Sequence, residues 1–125
     1  MPSQVRLKRI GDRIQIELSE ILLKDVSDPR LVGIYITDIK VDREIAYANI
    51  YVSAIEGKTR SAEILAGLNH ANSYLRHLLA SKIELRVFPK LRFFWDPTPE
   101  RADHIERLLS TLRDKEYLPN DTSND

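Results

Sequence analysis

Apolar residues recur every three or four positions through residues 4–24, where Leu7, Ile10, Ile14, Leu18, Ile21 and Leu22 share one stripe. That period predicts a helix with one buried face. Arg6, Arg9 and Arg13 keep the same spacing on a different face. The run Asp25-Val26-Ser27-Asp28-Pro29-Arg30 ends the helix, because Pro29 disfavours helical geometry at Asp28. The period then falls to two. Val32, Ile34 and Ile36 alternate before Ile39 and Val41 take the other parity, which predicts a strand with a bulge, or one buried on both faces near its end. Ala46, Ala48, Ile50, Val52 and Ala54 alternate with Tyr47, Asn49, Tyr51 and Ser53 in a second strand. Asp42-Arg43-Glu44 between them is short enough for a hairpin, although it lacks glycine.

Gly57-Lys58-Thr59-Arg60-Ser61 interrupts the pattern before a second helix over 61–82, whose apolar face holds Ile64, Leu65, Leu68, Ala71, Leu75, Leu78 and Leu79. A third strand should include Leu91, Phe93 and Trp95, with Pro89 near its start. Asp96-Pro97-Thr98-Pro99 turns into a last helix, for which Thr98 is the expected N-cap and Pro99 the first residue. Ala102, Ile105, Leu108, Leu109 and Leu112 are its expected buried stripe. The sum is a single α+β domain over 1–115, a small mixed sheet with helices packed on it, followed by a flexible polar tail over 116–125.

Composition narrows the chemistry. The chain has 125 residues, 42% hydrophobic and 30% charged, enough to bury one core. Without cysteine it can form no disulfide, thiolate metal site or cysteine nucleophile. No stretch reads as a signal peptide or membrane span, so a cytoplasmic protein is expected. Nineteen basic residues balance nineteen acidic ones, but unevenly along the chain. Residues 5–13 set Arg6, Lys8, Arg9 and Arg13 against Asp12 alone, and 76–92 set Arg76, Lys82, Arg86, Lys90 and Arg92 against Glu84 alone. A neutral total thus hides two basic segments.

Catalytic and metal chemistry find no support. His70 and His77 are seven residues apart on one helix, about 10 Å at ~1.5 Å per residue, too far for one metal ion. Asp103 and His104 are consecutive in a helix and point apart. Glu63 and His70, the pair a hydrolase could use, are too far apart for a direct hydrogen bond. The four glycines are too scattered to build a phosphate loop, and no cofactor or metal is expected. The two basic segments, by contrast, can supply phosphate contacts. Tyr74, His77 and Phe88 lie in or beside the second, offering flat side chains near guanidinium groups for base stacking, while Phe93 and Trp95 read as core.

Laid out in this order, the chain resembles the ribosome-binding factor A family of bacterial small-subunit maturation factors. The resemblance rests on Arg6-Leu7 with the first apolar stripe, Asp28-Pro29-Arg30, Ala48-Asn49-Ile50-Tyr51-Val52-Ser53, Leu68-Asn69-His70-Ala71 with Leu75-Arg76, Ile83-Glu84-Leu85-Arg86, Pro89-Lys90-Leu91, Phe93 and Asp96. It implies a type II KH-like domain of order α-β-β-α-(kink)-α-β-α, in which an Ala-x-Gly kink replaces a Gly-x-x-Gly loop. The kink would fall at Ala71, Asn72 and Ser73. Serine stands where the family has glycine, so a shallower bend is expected.

By the same resemblance the protein would be a non-catalytic, monomeric factor, associated with cold adaptation. It would bind the free 30S subunit and assist late maturation and 5′-end processing of 16S rRNA, with the 5′-terminal helix region among its contacts. Arg6, Lys8, Arg9 and Arg13, with Arg76, His77, Lys82, Arg86, Lys90 and Arg92, would grip RNA, while Asn72, Ser73 and Tyr74 approach the sugar-phosphate backbone. The competing reading is a small α+β regulatory or protein-interaction module with no RNA partner. What separates the two is whether the fold brings the basic segments together.

Overall fold

A computed structural model describes residues 3–117, with side chains through Arg113. Helix α1 spans Gln4–Lys24, and Ser3 caps it by accepting a hydrogen bond from the Arg6 amide at 3.1 Å. Its expected stripe is buried, with Ile14, Leu18 and Ile21 wholly inaccessible. Gly11 belongs to the same face: a Cβ there would sit 3.3 Å from the Ile39 carbonyl oxygen, so the missing side chain lets α1 lie close on the sheet. Pro29–Leu31 forms a single 3₁₀ turn after α1, capped by Asp28, which accepts from the Arg30 amide at 2.9 Å.

Strands β1 (Ile34–Val41) and β2 (Tyr47–Ala54) pair antiparallel, and β3 (Lys90–Trp95) joins β2 in parallel, giving the order β1-β2-β3. The parity switch in β1 is a bulge. Register slips between Ile36 and Asp38, leaving Thr37 as the extra residue. Thr37 Oγ1 donates to Asp96 Oδ2 at 2.6 Å, so the bulge ties β1 to the end of β3 across the intervening strand. The hairpin turn does without glycine: Asp42 Oδ1 accepts from the amides of Ala46 and Tyr47 at 2.7 and 3.2 Å, and Ile45 takes the positive φ of 56°.

Helix α2 spans Ser61–Lys82 and packs on β3 and on α1, while α1 packs on β1. Both helices lie on one side of the sheet, where they bury Ile50 and Val52 against Ile64, Leu68, Leu75 and Leu79. The helical span is unbroken through Ala71, Asn72 and Ser73, so the chain does not divide into two helices there. None of the three takes a positive φ, the conformation a glycine at the family's kink position would allow.

Helix α3 (Thr98–Tyr117) corrects the sequence reading on two points. Thr98 is the first helical residue rather than the N-cap: the Pro97 carbonyl accepts from the Arg101 amide at 3.1 Å, and Asp96 Oδ1 accepts from the Thr98 amide at 2.9 Å. The stripe expected to be buried is open: Ile105, Leu108, Leu109 and Leu112 are each more than half exposed, and Ala102 is exposed as well. The amphipathic period is present, but among the described residues the side-chain hydrogen bonds that tie the helix to the rest of the chain come from its first turn. Glu100 accepts from Trp95 Nε1 at 3.2 Å and from the Lys58 amide at 2.9 Å, and beyond it the side-chain hydrogen bonds of the described residues stay within the helix. The tail expected from residue 116 lies outside the described residues, except that Glu116 and Tyr117 are the last residues of α3.

Candidate nucleic-acid interface

The stripe that buries one side of α1 leaves Arg6, Lys8, Arg9 and Arg13 on exposed positions. They are not equivalent. Lys8 is tied to Asp12 at 2.7 Å, and that hydrogen bond and charge hold its ammonium above the ordinary lysine pKa. Arg13 pairs with Glu17 at 3.2 Å and also donates to the Lys82 carbonyl at 3.2 Å. Lys82 is the last residue of α2, so the Arg13 guanidinium sits at the negative end of that helix. This contact joins the two basic segments, 69 residues apart in the chain. Arg6 and Arg9, on the same side of α1, form no ion pair among the described residues, nor does Arg86, which is exposed in the loop between α2 and β3.

The rest of the second segment divides three ways. Ser73, Tyr74 and His77 are exposed on the outside of α2, with Tyr74 half accessible. Asn72 and Arg76 turn inward instead. Asn72 Nδ2 donates to the Leu91 carbonyl at 3.0 Å, and the Arg76 guanidinium donates to the carbonyls of Pro89 (3.1 Å) and Phe88. Both side chains satisfy backbone oxygens of β3 and its approach, which is work for the fold. Phe88 is buried and offers no stacking face; Phe93 is buried as expected. Lys90 and Arg92 alternate with the buried Leu91 and Phe93, so they project from the side of the sheet away from the helices.

That far side holds residues the sequence reading passed over. Register sets Tyr47 beside Lys90, Asn49 beside Arg92 and Tyr51 beside Phe94, with Lys40 next to Asn49 on the other flank. The Arg92 guanidinium lies 3.8 Å from the Tyr47 ring centroid, and its Nε donates to Asn49 Oδ1 at 2.8 Å. The odd-numbered parity of β2, and Phe94 out of phase with Phe93, were the available signals.

Among the described residues no group of three His, Cys, Asp or Glu side chains could hold a metal ion. His70, His77 and His104 are exposed, and Glu63 pairs with Arg60 at 3.6 Å rather than with His70. At the corner before β1 the Asp28 carboxyl sits below its ordinary pKa because the Arg30 side chain hydrogen-bonds to it, at 2.7 Å for the shortest contact. Asp96 is likewise held low, chiefly by the hydrogen bond from Thr37.

The likeness to known proteins extends along most of the chain. A protein of Alcanivorax borkumensis described as ribosome-binding factor A is 40% identical over 119 residues, covering 93% of this chain and 87% of that protein. A protein of the same description from Thiobacillus denitrificans is 37% identical over 106 residues, covering 85% and 86%. The solution structure of a Thermotoga maritima protein described as a putative ribosome-binding factor A superposes with a TM-score of 0.65 at 28% identity, over 75% of this chain and 90% of that one. The crystal structure of ribosome-binding factor A from Thermus thermophilus shares the fold at a TM-score of 0.65 and 21% identity, over 71% and 93%. The sequence pattern of one family, ribosome-binding factor A, matches residues 6–109, from the first arginine of α1 to the last helix, and to that family this chain belongs.

Proposed function

We propose that this protein is a non-catalytic assembly factor that binds the free 30S ribosomal subunit and assists late maturation of 16S rRNA, including processing at its 5′ end. The observation that carries the reading is the Arg13–Lys82 contact, which sets the basic stripe of α1 against the end of α2. On this reading Arg6, Arg9 and Arg86, which form no ion pair among the described residues, meet phosphates together with Lys82, while the exposed Ser73, Tyr74 and His77 approach the sugar-phosphate backbone. Family membership supplies the ligand class, since the relatives are described as ribosome-binding factors. On this reading the protein acts as a monomer in the cytoplasm, contacts the 5′-terminal helix region and is most needed in the cold, where misfolded RNA helices are slow to open.

Four neutralised phosphates on single-stranded RNA give a log–log salt slope near −3, from ~−0.7 per phosphate. Affinity then falls roughly 50-fold between ~50 and ~200 mM salt. Co-sedimentation with free 30S subunits and with assembled ribosomes, at these two salt levels, tests it. Salt-sensitive binding to free subunits, weakened at least tenfold by Arg9→Ala with Arg86→Ala, is the expected result. Binding to neither particle, or binding indifferent to salt, leaves the protein-interaction module as the better reading.

A further inference from the structure

Helices α1 and α2 cover one side of the sheet, and on the other side Tyr35, Asp38, Lys40, Lys90, Arg92 and Phe94 are exposed among the described residues. Across it, Tyr51 and Phe94 stack with centroids 5.4 Å apart and planes 27° from parallel, forming a two-ring shelf. Lys40 Nζ stands over the Tyr51 ring, 5.9 Å from its centroid, and the Arg92 guanidinium lies on Tyr47. Phe94 and Tyr35 remain 39% and 40% exposed, so the shelf is reachable from solvent. Aromatic neighbours across strands stabilise a sheet by themselves, and such a role alone needs no charge around them. Here Lys40, Lys90 and Arg92 share the face with Asp38, the one carboxylate within the three strands, and none of the three cations forms an ion pair among the described residues.

Flat rings with cations beside them match the two parts of an unpaired nucleotide, a base that stacks and a phosphate that needs neutralising. An apolar helix laid on this face would desolvate three cations without pairing them, which argues against an apolar protein occupant. Tyr47 and Tyr51 are four residues apart on β2, about 13 Å at ~3.3 Å per residue, so more than one base can be engaged.

We infer that the open face of the sheet is a second RNA site, which stacks unpaired bases of a single strand on Tyr51 and Phe94 while Lys40 and Arg92 hold its phosphates. The inference rests on the reading that the ligand is ribosomal RNA, and it adds a surface distinct from the basic one on α1 and α2. Base-pairing state is its signature, because a duplex hides the base faces that a ring must cover.

The test is titration of the full chain, isotopically labelled for amide shifts, with a mixed-sequence RNA octamer and with the same octamer annealed to its complement. The single strand is expected to shift amides of β2 and β3, the duplex to leave them in place. Phe94→Leu keeps an apolar side chain on the sheet and removes the ring. It should weaken single-strand binding between about 5- and 150-fold, the range for one lost stacking contact, with the thermal midpoint as a check on folding. Arg92→Gln provides a second variant, expected to weaken the same complex. Single-strand shifts confined to α1 and α2, no octamer binding at all, or unchanged affinity in a folded Phe94→Leu protein would each overturn the inference. Co-sedimentation with 30S subunits is scored separately, so this site can fail while the assembly-factor reading stands.

Discussion

Arginine 76 shows how little a residue type says about its job until its partners are known. By sequence it belongs to the basic segment and to the RNA contacts. In the fold its guanidinium occupies the carbonyl oxygens of Phe88 and Pro89, next to a buried aromatic and a buried proline. Truncating it strips two acceptors of their donor in a part-buried site, and each group left unsatisfied costs about 1–3 kcal/mol. Arg76→Ala is therefore expected to lose roughly 2–4 kcal/mol in urea unfolding, on that scale with partial access to water. Arg86→Ala, exposed and without an ion pair, should stay within about 0.5 kcal/mol of the parent. A stable Arg76→Ala protein with impaired RNA binding would return that arginine to the interface. The sequence could not separate these two arginines, because the difference lies in where the chain returns 12 residues later.

At the scale of elements, periodicity carried most of the fold. Helices α1 and α2, the bulge in β1 and the mixed sheet all followed from where the apolar positions change period, since burial on one side is what that pattern encodes. Two features were illegible for physical reasons. The β1–β2 turn uses the Asp42 carboxylate and a strained Ile45 in place of glycine, a solution that leaves no composition signal. The stripe of α3 has the period of a buried face, yet period records amphipathicity and not the presence of a partner. What holds the start of α3 is Asp96, which accepts from Thr37 at the bulge and from the Thr98 amide. Because those bonds favour the carboxylate, its folded pKa lies below the unfolded one. The stability it adds is complete above the ordinary carboxylate range and is lost as the pH falls through that range and the lower folded pKa. Asp96→Asn should cost about 1–2 kcal/mol at neutral pH and flatten the acid side of the stability profile. If variant and parent lose stability in parallel as the solution is acidified, other carboxylates carry the acid sensitivity.

The whole molecule has no net charge, and the two RNA surfaces proposed for it belong to different layers, one to the helices and one to the far side of the sheet. The sequence groups Lys90 and Arg92 with the rest of 76–92, but strand alternation sends both to the far side of the sheet. Among the described residues, the hydrogen bond that joins α1 to the second segment runs from Arg13 to Lys82. The two surfaces should differ in how salt acts on them. Phosphate contacts work through counterion release, so each cation removed takes about 0.7 from the single-strand slope. Stacking on a ring displaces no counterion, so losing it lowers affinity at every salt concentration alike. For a single-stranded RNA long enough to reach both faces, Arg6→Ala with Arg9→Ala should flatten the slope by about 1.4. Phe94→Leu should move the whole line down and leave its slope unchanged. Measured by anisotropy across four salt concentrations, two parallel lines for parent and Phe94→Leu, crossed by a shallower one for the arginine variant, would assign charge to the helical face and stacking to the sheet. A change of slope in Phe94→Leu would mean that the ring acts by positioning Lys40 or Arg92 and not by covering a base.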